Sequence, residues 1–461
     1  MKYTTFLTGN IKKQILFLAA PLLLGNILQQ FYGIVDSLII GRFLGTDAFA
    51  SIGISSAVMN LFIFIIQGFC VGLSILFAKL YGTGDMNTFR KEFFVSVFTG
   101  TLFTLFLSFL SVLFLRPILE ILKTPAPLKN YTYDYLIIIL TCLLFTYLYN
   151  LLANILRAIG NTKAASLFLF LSVILNILLD YFFILVFPMG IRGAALATAA
   201  SQLVSALCCY LYMKQHFPDL LFHQKDCQPD KKLIMDTFAF GFASSLHQSS
   251  IYIGKILVQG AVNTLGIAGI AAYTASMRIE GILNAFGDSG GQAMSILISQ
   301  NFGAGKNKRI KKSLKDGMHL HIGAAILLSS CMFFLAKPGI RLFLSPGETR
   351  ALSYGISYLR IISLFYFLNY IGNAYVGYFR GIGKLSIPFI GSSLQILIRV
   401  LFTFLLIGRW KLSALAVATG IGWVSIVVYQ TFTYYIQNAD NPCCASSFRP
   451  KKIRILQKSY K

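Results

Sequence analysis

The chain repeats part of itself. Residues 74–91 and residues 295–312 share six identical residues in 18 aligned positions, and each copy contains a Gly-X-Gly motif. A second pair of motifs, at residues 157–160 and 380–383, is offset by 223 residues, so that nearly the same register holds across most of each half. An internal duplication of segments apolar enough to cross a bilayer indicates a transporter whose site lies within one half or between the two.

The composition indicates that most of the chain lies in lipid. Of its 461 residues, 56% are hydrophobic and only 12% are charged, whereas about 25% are charged in soluble domains. Twelve apolar runs occur, and most reach the ~20 residues that a spanning helix requires. The runs are continuous and do not alternate with polar residues, which favours helices over strands. We predict an all-α polytopic membrane protein with twelve transmembrane helices in two pseudo-symmetric six-helix lobes.

Lysine and arginine are concentrated in alternate connections between the apolar runs. The N-terminus, every second connection and the segment after Tyr435 hold 26 of the 40, the opposite connections hold 10, and four lie within runs. Because cytoplasmic loops are enriched in these residues, we predict that both termini are cytoplasmic. The net charge of +24 is therefore attributed to topology, and no nucleic-acid binding is expected.

The longest polar stretch divides the chain between the two copies. We predict an N-terminal lobe (residues 1–215), a cytoplasmic linker (216–236), a C-terminal lobe (237–437) and a basic cytoplasmic tail (438–461). The first apolar run lacks a small-residue cleavage site, which favours an uncleaved first span over a signal peptide. The eight cysteines include no CxxC pair, so that neither a disulfide framework nor a zinc site is predicted.

Ionisable side chains within the apolar runs are the strongest candidates for function. Burying one charge in a bilayer costs roughly 2.5–3.5 kcal/mol, so that such residues need a compensating role. At about 1.5 Å per helical residue, Asp36 lies roughly 9 Å from the outer side, and Asp180 and Thr198 lie roughly 12 Å from it. Asn176 precedes Asp180 by one helical turn and shares its face. These four residues could form one pocket in the N-terminal lobe.

Two carboxylates that share a low-dielectric pocket cannot both stay charged without a cation. The predicted pocket would therefore accept H⁺ or a hard cation such as Na⁺, the latter at Asp36, Asn176 and Asp180. The alternative is that Asp36 and Asp180 only hydrogen-bond to neighbouring helices.

The C-terminal lobe also carries charges within its apolar runs. Glu280 lies two residues after Arg278, while Lys255 and Arg399 lie in other runs. We interpret these residues as structural ion pairs, with Glu280 and Arg278 as candidate substrate contacts. Asp288 lies among three glycines, which could instead mark close helix packing.

Enzyme-like motifs in the chain lack the partners that their chemistry needs. Residues 287–291 read GDSGG, but no β-barrel that would bring a histidine and an aspartate to the serine is expected. Residues 303–306 read GAGK, but Asn307 replaces the Ser or Thr of a phosphate-binding loop. An intramembrane aspartyl protease would need a GxGD motif, whereas residues 285–288 read AFGD. We expect no enzymatic activity and no bound cofactor.

Several motifs in the chain resemble those of the multidrug and toxic compound extrusion (MATE) family. The first is Pro21, followed by QFYGIVD at residues 30–36 and GRFLG at residues 41–45. Further motifs are RAIG at 157–160, the Asn176 and Asp180 pair, GAALAT at 193–198, RIE at 278–280 and NFGAG at 301–305. The resemblance extends over essentially the whole chain and is to the branch with its cation site in the N-terminal lobe.

The resemblance implies a twelve-helix exporter that alternates between outward-open and inward-open forms. Such a protein is a secondary antiporter that exports cationic amphipathic compounds in exchange for H⁺ or Na⁺. By motif position, Asp36, Asn176, Asp180 and Thr198 match the cation-coupling site of that branch. Pro21 matches a first-helix proline that is linked to bending.

The chain departs from the family branches that carry acids on the first and fourth helices of the C-terminal lobe. Those helices here contain His247, Gln248 and Asn369 instead. A second cation site is therefore not predicted in that lobe.

An alternative function follows from the basic residues of the C-terminal lobe. If Lys255, Arg278 and Arg399 face a cavity, the chain could be a flippase or exporter of a lipid-linked or anionic substrate on the related exporter fold. A channel or receptor has only the number of spans in its favour. In either transport function, we expect a monomeric multi-pass protein of a bacterial-type inner (plasma) membrane. Its expected partners are small cationic amphipathic substrates and membrane lipid.

Overall fold

The chain is helical in nearly all of the part that its structure describes. The computed structural model describes residues 6–122, 124–228, 230–344 and 347–440. No strand occurs among these residues, and the all-α prediction is confirmed for them. Residues 441–461, which contain the basic residues of the predicted tail, lie outside the described residues.

The first half of the chain forms eight α-helices within the described ranges. They are α1 (Ile11–Leu44), α2 (Thr46–Thr83), α3 (Met86–Leu113), α4 (Leu115–Ile121), α5 (Ala126–Thr141), α6 (Leu143–Ala158), α7 (Thr162–Tyr181) and α8 (Gly190–His216). A π-helical turn, Phe182–Val186, continues α7.

The second half forms eight further α-helices in the described residues. They are α9 (Lys231–Asn263), α10 (Gly266–Gly303), α11 (Asn307–Phe334), α12 (Ala336–Arg341), α13 (Thr349–Ser363), α14 (Tyr366–Gly381), α15 (Ser386–Trp410) and α16 (Leu412–Asp440).

Eight helices in the described part are long and apolar enough to cross a membrane. Two bent pairs, α5 with α6 and α13 with α14, raise the number to ten if each pair is one span. The bends are 47° and 52°, and they fall at equivalent places in the two copies. Helices α9 and α10 are 33 and 38 residues long but carry many polar residues and are not among the eight. The chain is thus a multi-pass helical protein, and the count of twelve spans stays a prediction.

Local sequence signals explain where several helices begin. Asn10 accepts a hydrogen bond from the Lys13 amide at the start of α1, and Asn161 accepts one from the Ala164 amide at the start of α7. Asp85 and Asp230 cap α3 and α9 in the same way. Such caps satisfy amide groups that have no partner within the helix.

The two halves of the chain pack tightly against each other at glycines. A side chain at Gly72 of α2 would overlap the Phe240 carbonyl of α9, and one at Gly82 of α2 would overlap the Gln300 carbonyl of α10. The reciprocal contact joins Gly303 of α10 to the Lys79 carbonyl of α2. Because glycine has no Cβ, it lets two backbones approach this closely.

The apolar core is shared unequally between the halves. One cluster of buried residues extends from Phe6 to Ile387 and joins both copies, while a second, from Val258 to Trp423, lies wholly in the second half.

The division into lobes at residues 216–236 stays a prediction. This linker segment folds against α3, where Arg90 pairs with Asp226 at 3.2 Å and donates to the Asp219 carbonyl at 3.1 Å.

Candidate functional site

The structure brings the two acidic residues of the first half together. Asp36 of α1 and Asp180 of α7 are 6% and 0% exposed, and their carboxyl groups hydrogen-bond to each other. A hydrogen bond between two carboxyl groups needs a proton on one of them. Each residue also keeps one buried carboxyl oxygen, Oδ1, without a hydrogen-bond partner among the described residues. The two carboxyl groups are therefore close enough to share one proton, and the pair has buried oxygen atoms of the kind that bind a hard cation.

Asn176 and Thr198 adjoin this acidic pair. The amide orientation of Asn176 that satisfies both of its polar atoms has the nitrogen donating to Asp180 Oδ2 at 3.0 Å. Its oxygen then accepts from the Thr198 amide and hydroxyl, both at 3.2 Å. Asn176 thus links α7 to α8, and the four residues form one cluster of oxygen-rich side chains, which we call the acidic cluster (Asp36, Asn176, Asp180 and Thr198).

A π-helical turn begins two residues after Asp180. The Phe187 amide donates to the Phe182 carbonyl at 3.1 Å, five residues earlier, where an α-helix would pair residues four apart. Such turns occur often at functional sites because they change the direction of side chains within a helix. Nothing in the apolar pattern of residues 164–187 indicates this turn.

Pro21 lies within α1, on the N-terminal side of the QFYGIVD motif at residues 30–36. The helix continues through it from Ile11 to Leu44. The Ser166 hydroxyl of α7 donates to the Pro21 carbonyl at 2.6 Å, and Gly25 lies against Leu169 of α7. The segment of α1 that contains Pro21 is therefore tied to the same helix that carries Asp180.

A polar cleft occupies the C-terminal half of the chain. It has a cavity volume of about 270 Å³. Its charged lining residues come from four helices: Lys255 of α9, Glu280 and Asp288 of α10, Arg380 of α14 and Arg399 of α15. The amide and imidazole side chains of its lining are His247, Gln248, Asn284, Gln292, Asn369, Asn373 and Gln395. The three residues His247, Gln248 and Asn369, which stand where the resemblance implies acids in other branches, thus all line this cleft.

The predicted pairing of Glu280 with Arg278 is not formed. Glu280 is 4% exposed and lines the cleft, while Arg278 is exposed and lies outside its lining. The reason is geometric, because residues two apart on a helix point to different sides. In the described chain, no ion pair joins Glu280 to a basic residue. Of the two candidate substrate contacts, only Glu280 can face a ligand in the cleft.

Hydrogen bonds fix one wall of the cleft. The Tyr366 hydroxyl lies 3.3 Å from Glu280 Oε2 and 3.1 Å from Asn284 Oδ1, and Asn369 donates to the same Asn284 oxygen at 2.9 Å. Asn373 in turn donates to Asn369 at 3.3 Å. This ladder joins α10 to α14 and leaves Glu280 Oε1 buried without a hydrogen-bond partner in the described residues.

The glycines around Asp288 serve helix packing, as the spacing suggested. A Cβ at Gly291 would lie 3.0 Å from the Asn373 carbonyl, and one at Gly377 would lie 2.5 Å from the Gly291 carbonyl. Asp288 nevertheless lines the cleft, so that packing and a polar role coexist on this helix.

Sequence reasoning missed Arg380 as a lining residue. Arg380 is 8% exposed, and its Nη2 atom lies 2.8 Å from His247 Nδ1. It belongs to the RGIG motif that repeats RAIG at Arg157, and both arginines line a small cavity between the halves. The sequence repeat identifies Arg380 as one of two equivalent arginines. Because Arg380 lies near the end of an apolar run and not at its centre, the sequence does not indicate that it contacts the cleft.

A family model matches the chain twice. The model, described as MatE, covers residues 21–182 and again residues 243–405. The chain is 29% identical over 90% of its length, and 90% of the relative, to "Probable multidrug resistance protein YpnP" of Bacillus subtilis. It is 24% identical over 94% of its length, and 93% of the relative, to "Multidrug export protein MepA" of Staphylococcus haemolyticus.

Solved structures share the fold. A structure described as the outward-facing conformation of a multidrug resistance MATE family transporter of the MOP superfamily aligns with a TM-score of 0.87 at 22% identity. It covers 95% of this chain and 98% of its own. A MOP superfamily transporter from Pyrococcus furiosus, described as having a binding pocket of reverse polarity, aligns with a TM-score of 0.84, also at 22% identity, over 96% and 99% of the two chains. With both repeats matched by the MatE model, the chain belongs to the MATE family of membrane transporters.

Proposed function

We propose that the protein is a secondary active antiporter that exports cationic amphipathic compounds in exchange for H⁺ or Na⁺. The observation that carries the proposal is the acidic cluster, in which Asp36 and Asp180 from two helices meet in a membrane protein with a hydrogen bond between their carboxyl groups. A buried acidic pair of this kind costs free energy in a membrane unless it binds a proton or another cation. The names of the relatives YpnP and MepA support efflux of several compounds as the transport function.

The coupling step in this proposal uses the contact between α1 and α7. Entry of H⁺ or Na⁺ neutralises the Asp36 and Asp180 pair and changes the attraction between the two helices that carry it. Asn176 and Thr198 orient the pair from α7 and α8. Pro21 is the point at which α1 would bend as the cluster changes its charge, and substrate leaves toward the outside.

The finer features of the protein are part of the same proposal. They are twelve spans in two six-helix lobes, cytoplasmic termini, a bacterial-type plasma membrane and a monomeric state. The Lys and Arg asymmetry supports the orientation, and the matched repeats at 21–182 and 243–405 support the two lobes.

A second candidate function rests on the cleft of the C-terminal half. Lys255 and Arg399 line it together with Arg380, which supports export or flipping of an anionic or lipid-linked substrate. Proteoliposome assays that compare a fluorescent cation with a polyisoprenoid-linked sugar would separate this function from the first.

The test of the main proposal is efflux of one fluorescent cation from proteoliposomes under separately imposed pH and sodium gradients. We expect one gradient to drive efflux and Asp36→Asn to abolish it, because an amide can neither hold a proton nor neutralise a cation. The matched control is Asp47→Asn, which changes an exposed acid at the start of α2. Gradient-driven efflux that persists in a folded Asp36→Asn protein would remove the coupling role of the cluster.

A further inference from the structure

The cleft of the C-terminal half has a charge pattern that the coupling reaction does not use. It contains three basic side chains, Lys255, Arg380 and Arg399, and two acidic ones, Glu280 and Asp288. The acidic cluster lies in the other half of the chain, on α1, α7 and α8, and shares no residue with this lining. The cleft is the basis of the second candidate function given above, and the inference that follows rests on that candidate and names the class of ligand.

None of these five charges forms an ion pair within the described chain. Arg399 Nε and Glu280 Oε1 are buried polar atoms without a hydrogen-bond partner in the described residues. Buried charges in membrane helices normally pair or face a cavity that carries ligands. Since both unpartnered atoms belong to residues that line the cleft, their unused hydrogen-bonding capacity is available to a ligand there.

The excess charge of the lining is positive. Glu280 receives the Tyr366 hydroxyl and lies within the influence of the Arg399 and Lys255 charges, while the charges of Lys255 and Arg380 act on Asp288. Arg399 contacts the Tyr273 side chain, and its Nε stays a buried donor without a partner among the described residues. A guanidinium is suited to a carboxylate or sulfonate, since it donates two parallel hydrogen bonds to such planar or trigonal anions.

Beside its charged, amide and imidazole side chains, the cleft also has apolar and aromatic walls. Phe64, Ile251, Met277, Val376, Trp423 and Ile426 contribute to the walls of the cleft. Ligand sites commonly combine such a surface with a few charged groups that fix orientation. We propose that the cleft is a binding site for an amphipathic organic anion, whose anionic group contacts Arg399 and Lys255 and whose apolar body lies against Trp423.

Trp423 supplies a direct readout of binding. The chain has two tryptophans; Trp423 lines the cleft, and Trp410 is 52% exposed at the end of α15. In the Trp410→Phe variant, Trp423 is the remaining tryptophan, and its excitation energy can be transferred to an anthracene ring bound in the cleft. Three probes with the same ring isolate the effect of charge: anthracene-9-carboxylate, anthracene-9-methanol and the ammonium ion of 9-aminomethylanthracene.

The experiment measures energy transfer to each probe in the full-length protein in detergent. We expect the carboxylate to bind about tenfold or more tightly than the alcohol, as one charge-assisted hydrogen bond would give. Arg399→Gln should remove about tenfold of that affinity, and Arg399→Lys should retain part of it, which distinguishes lost charge from misfolding. Arg278→Gln is the matched control, because Arg278 is an exposed arginine outside the lining.

The proposal is overturned if the three probes bind equally, if the ammonium probe binds best, or if Arg399→Gln and Arg278→Gln behave alike. The binding measurement is made on protein with an intact acidic cluster and without an ion gradient. Failure of cation-driven efflux and failure of anion binding are thus separate results.

Discussion

Asn176 joins α7 to α8 beside the acidic cluster and, through Asp180, is connected to α1. Its nitrogen donates to Asp180 on α7, its oxygen accepts from Thr198 on α8, and Asp180 in turn bonds to Asp36 on α1. Unlike a hydroxyl, an amide has its donor and acceptor on different atoms, so that only one orientation satisfies both neighbours. Asn176 therefore fixes where the Asp180 carboxyl group points.

Replacing Asn176 with leucine should weaken binding of the proposed coupling ion. Leucine has the same branching as asparagine but no donor, and a hydrogen bond to a charged group is worth about 1.5–3 kcal/mol. We expect the concentration of H⁺ or Na⁺ that half-saturates efflux to rise about tenfold or more. Asn150→Leu is the control, since the Asn150 amide only donates to the Thr146 carbonyl of its own helix. Equal half-saturation in the two variants would contradict the role of Asn176.

The acidic cluster was predictable because each of its members can be recognised in the sequence from its residue type and position. Asp36 and Asp180 are acids within apolar runs, and the four-residue spacing of Asn176 from Asp180 places both on one helix face. Ser166 and Arg380 carry no such signal. A serine in a helix and an arginine near a helix end are common, and their contacts with Pro21 and the cleft depend on how separate helices pack.

At the level of elements, α1 is a continuous helix with one weak point. Pro21 has no amide hydrogen, so that the Phe17 carbonyl four residues earlier lacks its usual partner. The Ser166 bond to the Pro21 carbonyl holds this segment against α7. A helix with a missing internal bond next to a tertiary contact can bend there at low cost.

Pro21→Ala should stiffen α1 and slow transport. Alanine restores the missing hydrogen bond, and an interior proline costs about 3 kcal/mol in a helix. We expect a higher thermal unfolding temperature together with a severalfold lower rate of efflux. Pro388→Ala is the matched control, because Pro388 lies in the first turn of α15, where no helical bond is missing. An efflux rate equal to that of the native protein would argue against bending at Pro21.

The linker is an element whose stability depends on one carboxylate. Burial acts to raise the pKa of Asp226, but the hydrogen bond from the His223 amide and the charge of Arg90 outweigh it and hold the pKa below its ordinary value. A lowered pKa in the folded state means that the stabilisation is complete above the unfolded value of about 3.9. It is lost as the pH falls through the lower folded value.

Hydrogen exchange of residues 218–228 tests this account. Between pH 7 and pH 5 we expect the protection of these amides, corrected for the intrinsic rate, to stay constant. At pH 7, Asp226→Asn should expose them to faster exchange, because the Arg90 pair and the bond to the His223 amide both weaken. Glu120→Gln is the control, since it removes only the exposed pair with Lys129. Protection that already falls between pH 7 and pH 5 would be inconsistent with a lowered pKa.

Helix positions were more predictable than helix shapes. Continuous apolar runs indicate where most of the long helices lie. The bends between α5 and α6 and between α13 and α14 fall at Cys142 and at Leu364–Phe365, where neither proline nor glycine occurs. The π-helical turn after α7 likewise has no local signature. Both features depend on packing against other helices, which a single run of residues does not encode.

At the scale of the whole molecule, equivalent residues of the two sequence copies make a pair of reciprocal contacts. Gly82 of α2 contacts the Gln300 carbonyl of α10, and Gly303 of α10 contacts the Lys79 carbonyl of α2. Residues 79 and 300, like residues 82 and 303, are related by the same offset of 221. The two copies therefore meet through one surface used twice, as in an assembly with two-fold symmetry.

Other hydrogen bonds support this reciprocal contact. The Gln300 side chain accepts from the Phe6 amide at 3.2 Å and donates to the Ala158 carbonyl at 2.7 Å. The Ser299 hydroxyl donates to the Ile75 carbonyl at 2.7 Å. In the proposed antiport cycle, this contact would form at one stage and break at another, so that its tightness would set the stability of the closed form.

Gly303→Ala and Gly82→Ala should each open this end of the molecule. A methyl group at either position overlaps a backbone carbonyl, which cannot rotate away as a side chain would. We expect α2 and α10 to separate and the populations of the transport cycle to shift toward the form in which this end is open. Spin labels at positions 83 and 308, exposed sites near the contact, would report the change as a longer distance between the labels. Gly53→Ala in α2 is the matched control, since a methyl group there meets nothing within 4 Å. Distance distributions that match the control in both glycine variants would show that the two copies do not depend on this contact for closure.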